Sequence, residues 1–473
     1  MHRIRAHVLI SLVLCAAVVA RGVGTPIRYD LDVHVSFRNA TFFGTETVLF
    51  ANDTDIELTE VFFRLFANAQ SIYGNAFLQI DSAEVNGSPI AATMLVENTV
   101  AMLPLPMPLA PGQTASLQLD FSGQASLWTS AAISRTPGSG YGILTKSQNA
   151  LTLTSFYPVV APYAAEGWSI DPVFGFGDAL MADRTDYHVR LTVMDSGVFP
   201  VSTGIQQAAQ PLESGTRYFF EAPGVRDFSA VLLTHHFDQT IQTDGYTIRS
   251  WFAPENQEAA GLCTEMAAFA YTQFRDLMGG APTTKVELVE VPLQRAAGVE
   301  FDGLILVGAS YAATPGNLFF SIIISHEMAH QWFYAGVGND PIEHPWLDEG
   351  FATYLSNVFL SVYYDDATAA AERESWWAAY ANASANHPTL SIASPKYAFP
   401  DSSSYSRFVY SGAATFIHEL RETMGETAFL QGLQDYYLGN LGSIAVPDDF
   451  FRAFESACSC SLSDLLSAYS IPR

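Results

Sequence analysis

Cysteine is scarce in this chain: 473 residues hold four. Cys15 falls in the N-terminal stretch, which leaves Cys263, Cys458 and Cys460. A disulfide-dense scaffold is excluded, and the expectation is one bridge or none. A Cys-x-Cys pair alone does not make a metal site. Cations are also scarce, with 22 Lys and Arg against 48 Asp and Glu and a net charge of -26. Such a chain repels nucleic acid and anionic membrane surfaces, so neither is an expected partner. After the first twenty residues no segment reaches the 18 or so continuous apolar residues of a membrane helix, so no stable insertion is expected there. The longest candidate, Leu318 to Ile324, is a short apolar run. Internal repeats and low-complexity tracts are missing, which excludes a solenoid or a disordered chain.

What remains is rich in core material, with 49% hydrophobic and 13% aromatic residues. A single core rarely exceeds roughly 250–300 residues, so at least two domains are expected. His2, Arg3, Arg5 and His7 give a basic start, and Val8 to Ala20 is mostly apolar. Residues 1–20 therefore read as an export signal, with the mature protein secreted or periplasmic. Leu14 is not the small residue that a lipoprotein signal places before its cysteine, so a lipid anchor is not expected at Cys15.

Residues 25–242 read as β-structure. Tyr29, Leu31, Val33 and Val35 alternate with polar residues, as do Leu117, Leu119 and Phe121, and Tyr187, Val189, Leu191 and Val193. Period-two alternation places one face on a core and the other in water. Asn86-Gly87 and Pro111-Gly112 supply turns. Residues 245–473 form the second unit. Leu262, Met266, Phe269, Phe274 and Leu277 follow helical spacing up to Gly279-Gly280. Strands are expected at Lys285 to Val291 and Leu304 to Val307, then helices over 318–335, 346–361, 407–424, 426–438 and 448–457. The fold class is multidomain α+β.

His326-Glu327-Met328-Ala329-His330 lies in a helical, apolar setting. Residues four apart share a helix face, so both imidazoles converge on one ion. Glu327 is then placed to reach water on that ion as a general base. Glu349 follows after 18 intervening residues, inside Trp346-Leu347-Asp348-Glu349-Gly350-Phe351-Ala352. A loop carrying Gly336, Gly338, Asn339 and Pro341 lets the second helix fold back on the first. His326, His330 and Glu349 make a three-ligand zinc site with one open position, which catalysis requires. One zinc per chain is expected.

This motif set resembles the aminopeptidase N-like gluzincin family of zinc metallopeptidases. The resemblance implies an N-terminal β-sandwich-like domain followed by a thermolysin-like α+β catalytic domain, and a peptide substrate. Ala297-Gly298-Val299-Glu300-Phe301 resembles the family's G-x-M-E-N motif, which implies that Gly298 and Glu300 bind substrate and that Glu300 holds the free amine. Val299 and Phe301 depart from that pattern. Tyr410, before Ser411-Gly412-Ala413, matches the tyrosine that supports the oxyanion, with Tyr405 as a rival. Gln148 matches a β-domain glutamine of the amine pocket, whereas Ala150 stands where a second anchoring residue is common. The chain ends at Arg473 without the long helical C-terminal domain of larger relatives, so a more open site is expected. The favoured function is removal of N-terminal residues from peptides. A zinc endopeptidase or another metallohydrolase would use the same site. A peptide-binding surface protein of weak turnover is the third reading. Assays of free against N-blocked peptides, with and without chelator, separate the three.

Overall fold

The computed structural model describes residues 26–128, 140–164, 167–243 and 245–473. The expected export signal lies outside these residues. In the first unit, an eight-stranded sheet has Pro26–Ser36, Thr41–Ala51 and Thr114–Gln124 at its middle. Tyr29, Leu31, Val33 and Val35 all face inward, as their alternation requires. Pro26–Ser36 runs parallel to Thr185–Val193 and antiparallel to Thr41–Ala51. A five-stranded and a four-stranded sheet complete the β-rich unit. Their inward residues, including Phe63, Leu153 and Leu232, share one core with the large sheet. Sheets packed face to face in this way bury one surface each, which is the β-sandwich solution.

The second unit starts from a five-stranded sheet in the order Phe237–Gln242, Thr247–Phe252, Lys285–Val291, Leu304–Gly308 and Gly298–Phe301. The boundary expected at 242–245 is corrected. Phe237–Gln242 pairs with Thr247–Phe252, so the second unit's sheet begins at Phe237. Helix Gln257–Met278 covers the sheet and ends at Gly279, whose φ of 74° suits a glycine cap.

Helices Leu318–Ala329 and Trp346–Tyr363 follow, then Asp366–Asn386, Ala413–Met424, Glu426–Asn440 and Pro447–Cys458. The helix expected over 318–335 stops earlier. After Ala329 the backbone widens, and Ala335, Gly336 and Val337 donate to the carbonyls five residues back. The helix expected from 407 begins with a wide π-type turn over Arg407–Gly412. Asp366–Asn386 is a further helix outside the expected spans. Among the described residues no helix is long and apolar enough to cross a membrane. Cys458 and Cys460 are joined in a disulfide, and Cys263 is a buried free thiol.

Candidate active site

Helix Leu318–Ala329 is capped by the Asn317 side chain, which accepts from the Phe319 amide. Leu318 and Phe319 are exposed in its first turn, but Phe320, Ile323, Ile324, Met328 and Ala329 are buried, which fixes the helix within the core. That rigidity aims His326 and His330 at Glu349, one turn into helix Trp346–Tyr363. His326 Nε2 lies 3.1 Å from His330 Nε2 and 3.2 Å from Glu349 Oε2. His330 Nε2 is 3.4 Å from the same oxygen.

These spacings test the fit of a metal. A tetrahedral ion bound at about 2.0–2.1 Å sets its ligands about 3.3 Å apart. The triangle His326, His330 and Glu349 has that size. His330 Nδ1 donates to the Phe333 carbonyl at 2.9 Å, which fixes the tautomer and leaves Nε2 as a free lone pair. Tyr410 donates to Glu349 Oε1, and its ring stacks on His326 with centroids 5.8 Å apart. The residues fit a zinc ion held by His326, His330 and Glu349.

Of the other expected residues, Gly298, Glu300, Glu327 and Tyr410 gather around this triangle. Glu327 and Glu300 line the same cavity, which has a volume of about 510 Å³. Glu300 sits on the edge strand Gly298–Phe301, whose hairpin turn uses Gly303 at a φ of 64°. The Gln331 side chain ties this hairpin to the motif: it accepts from the Gly303 amide at 2.9 Å and donates to the Phe301 carbonyl at 3.1 Å. Tyr405 also lines the cavity, but its hydroxyl faces Gly177, not Glu349.

Electrostatically the site is a buried cluster of acids. Burial pushes the Glu327 carboxyl up to about 8, with Glu349 and Asp178 adding to the rise. Burial also raises Glu300, reinforced by Asp178. Burial acts to raise Glu349 as well, but its contacts with His326 and His330 outweigh it and hold that carboxylate below the usual range. So many carboxylates in one buried cavity favour a bound cation.

Gln148 is a correction. It stands in the exposed turn between Thr145–Lys146 and Ala150–Leu153, away from the cavity lining. Ala150 is buried in the β-core. The strand–turn–strand geometry carries the tip outward, and Tyr141 and Ile143, earlier in the segment, line the cavity instead. Asp178 is the residue that the sequence did not disclose. It lies in the irregular stretch before Thr185–Val193 and lines the cavity beside Glu300 and Glu349. Burial and the Glu349 charge push it up to about 6. Its backbone carbonyl accepts from Lys396 Nζ, which pins this stretch to the helical side.

Residues 282–469 match the peptidase family M1 domain. The chain is similar to that family over this stretch. It is 26% identical over 149 residues to Aminopeptidase M1-A of Oryza sativa subsp. japonica, covering 29% of this chain and 17% of that one. It is 22% identical over 358 residues to Endoplasmic reticulum aminopeptidase 1 of Mus musculus, covering 72% of this chain and 36% of the relative. The chain thus spans well under half the length of these relatives. The crystal structure of an M1 zinc metallopeptidase from Deinococcus radiodurans superposes with a TM-score of 0.67 at 18% identity, covering 95% of each chain. That likeness establishes the two-unit fold: a β-rich unit followed by a unit that is mainly helical.

Proposed function

We propose that this protein is a zinc-dependent aminopeptidase that removes N-terminal residues from peptides. The observation that carries the reading is the triangle His326, His330 and Glu349, with Glu327 and Glu300 in the same cavity. His326, His330 and Glu349 would hold the zinc, which would supply Lewis acidity to the scissile carbonyl and to a water. Glu327 takes a proton from that water and passes it to the leaving amine. Glu300, with Asp178 alongside, gives the substrate's ammonium an anionic wall, and so places the first peptide bond beside Glu327. Tyr410 has a hydroxyl at the metal triangle and can donate to the developing oxyanion. The relatives named aminopeptidases support the activity, and a Deinococcus radiodurans structure was solved with a Tyr-Ser-Ala substrate.

The test compares free-amine and N-acetylated peptides, with and without chelator. Free-amine peptides are expected to be cleaved from the N-terminus, and chelator or His330→Ala to abolish this. Glu300→Ala is expected to lower kcat/KM on free-amine peptides by roughly 10²-fold with zinc retained. Equal cleavage of N-acetylated peptides, unaffected by Glu300→Ala, would replace this reading with an endopeptidase using the same ligands. Export is part of the proposal: the basic start and apolar run of residues 1–20 support it, and the Cys458–Cys460 disulfide agrees with an oxidising compartment. N-terminal sequencing of the mature protein should find residues 1 to about 20 missing.

A further inference from the structure

Arg226 directly follows strand Thr216–Val225, second from one edge of the eight-stranded sheet, and is 2% exposed. It lies outside the cavity lining. Among the described residues its guanidinium binds no carboxylate by hydrogen bond. Instead it spends its donors on three backbone carbonyls from three separate segments. Nε donates to Tyr334 at 2.5 Å, Nη1 to Ala182 at 2.9 Å and Nη2 to Ser443 at 2.9 Å. Its own amide donates to Asp302 Oδ2 at 2.6 Å, two residues from Glu300.

The Tyr334 contact is the informative one. Tyr334 has a φ of 125°, a conformation that a residue with a side chain rarely adopts. Such a conformation persists only where its surroundings hold it. Two contacts do so: the Tyr334 amide donates to Val337 at 2.9 Å, and the carbonyl accepts from Arg226. The carbonyl one residue earlier, that of Phe333, accepts from His330 Nδ1 at 2.9 Å. The strained peptide therefore continues directly from the group that fixes the His330 tautomer and ring orientation. Gly338 makes the arrangement possible, since a Cβ there would stand 2.5 Å from the Arg226 guanidinium carbon.

We propose that Arg226 is a positioning residue for the metal site: by holding the Tyr334 peptide, it keeps the Phe333 carbonyl on His330 and presets His330 Nε2 for the ion. The proposal rests on His330 being a metal ligand. Groups that orient a ligating histidine typically change metal affinity by about 10–100-fold when removed. A residue serving only to join the two units would lower stability and leave metal affinity alone.

The test uses the full chain. Zinc affinity is measured by competition with a chromogenic chelator, the visible spectrum of the cobalt form reports ligand geometry, and thermal unfolding of the metal-free form controls for folding. Arg226→Met is expected to weaken zinc by about tenfold or more and to alter the cobalt spectrum. Arg226→Lys keeps the charge but has no fork to span three carbonyls, so its loss is expected to be intermediate. Tyr334→Gly supplies a residue that tolerates the positive φ. In that background Arg226→Met should cost less zinc affinity than in the wild type, a non-additivity that simple gluing of the two units does not produce. A folded Arg226→Met that binds zinc within twofold of wild type, with an unchanged cobalt spectrum, overturns the proposal, as do strictly additive losses. If Arg226→Met does not fold, Gly338→Ala crowds the guanidinium without removing it, and unchanged zinc affinity there overturns the proposal equally. A wild-type chain that takes up no zinc defeats the ligand assignment itself, a result distinct from the other two.

Discussion

A Cβ built on Gly298 would lie 2.5 Å from the Glu327 carboxyl carbon. The edge strand and the motif helix therefore approach so closely that only a glycine leaves the proposed base in place. Gly298→Ala is expected to push the Glu327 carboxylate aside by an ångström or so. Misplacement on that scale costs about 10²-fold in rate. Zinc content should stay at one per chain, because Gly298 is not one of the three ligands. Glu327→Gln should lose roughly 10²–10⁴-fold in turnover, also with zinc retained. A Gly298→Ala variant that turns over at the wild-type rate would show that this contact does not position the base.

Gln331 deserves a variant of its own. It is fully buried, and its side chain meets both the Gly303 amide and the Phe301 carbonyl. Gln331→Leu leaves the Gly303 amide unpaired in the core, at about 1–3 kcal/mol, and removes a second bond from Phe301, which is also paired with Leu304 across the hairpin. The melting temperature should fall by several degrees. The hairpin carrying Glu300 should also loosen, raising KM for free-amine peptides more than it lowers kcat. Metal analysis should show unchanged zinc. A drop in kcat alone would contradict the link between Gln331 and Glu300.

The metal triangle was legible because it depends on local spacing: four residues along one helix, then an acid at the start of the next. Alternation along Tyr29 to Val35 likewise disclosed the buried sheet. Three features resisted reading, for separate reasons. Asp178 sits in a stretch without periodicity and reaches the cavity only through tertiary contacts, among them Lys396 on its carbonyl. Helix Asp366–Asn386 buries little beyond Ala369, Trp376 and Ala383, a stripe too narrow to mark an amphipathic pattern. The wide turn Arg407–Gly412, which carries Tyr410, has no composition of its own, since π-type turns arise where function and packing demand them. Gln148 failed the opposite way: a short local likeness selected it, and the turn it occupies points outward.

Glu46 gives a prediction far from the site. It is fully buried in strand Thr41–Ala51, opposite Leu31 on one side and Leu119 on the other. Neither carboxyl oxygen has a hydrogen-bond partner among the described residues. Burial raises its pKa well above the ordinary 4.5. Between the unfolded and folded values, the folded chain holds one more proton than the unfolded chain. Stability from this group is therefore greatest below about pH 4.5 and declines as the pH climbs towards the raised folded value. Glu46→Met replaces the carboxyl with an apolar chain of similar length among leucines. It removes an unpaired polar group costing about 1–3 kcal/mol. The expected result is a higher melting temperature at pH 7, by roughly 2–4 °C per kcal/mol gained in a domain of this size. The difference between variant and wild type should shrink as the pH is lowered towards 4.5, because the protonated wild-type carboxyl no longer opposes folding. Melting curves of both proteins across pH 4 to 8 decide the matter. A variant less stable than wild type at pH 7, or a difference that does not change with pH, would mean that Glu46 has a partner that stabilises its ionised form.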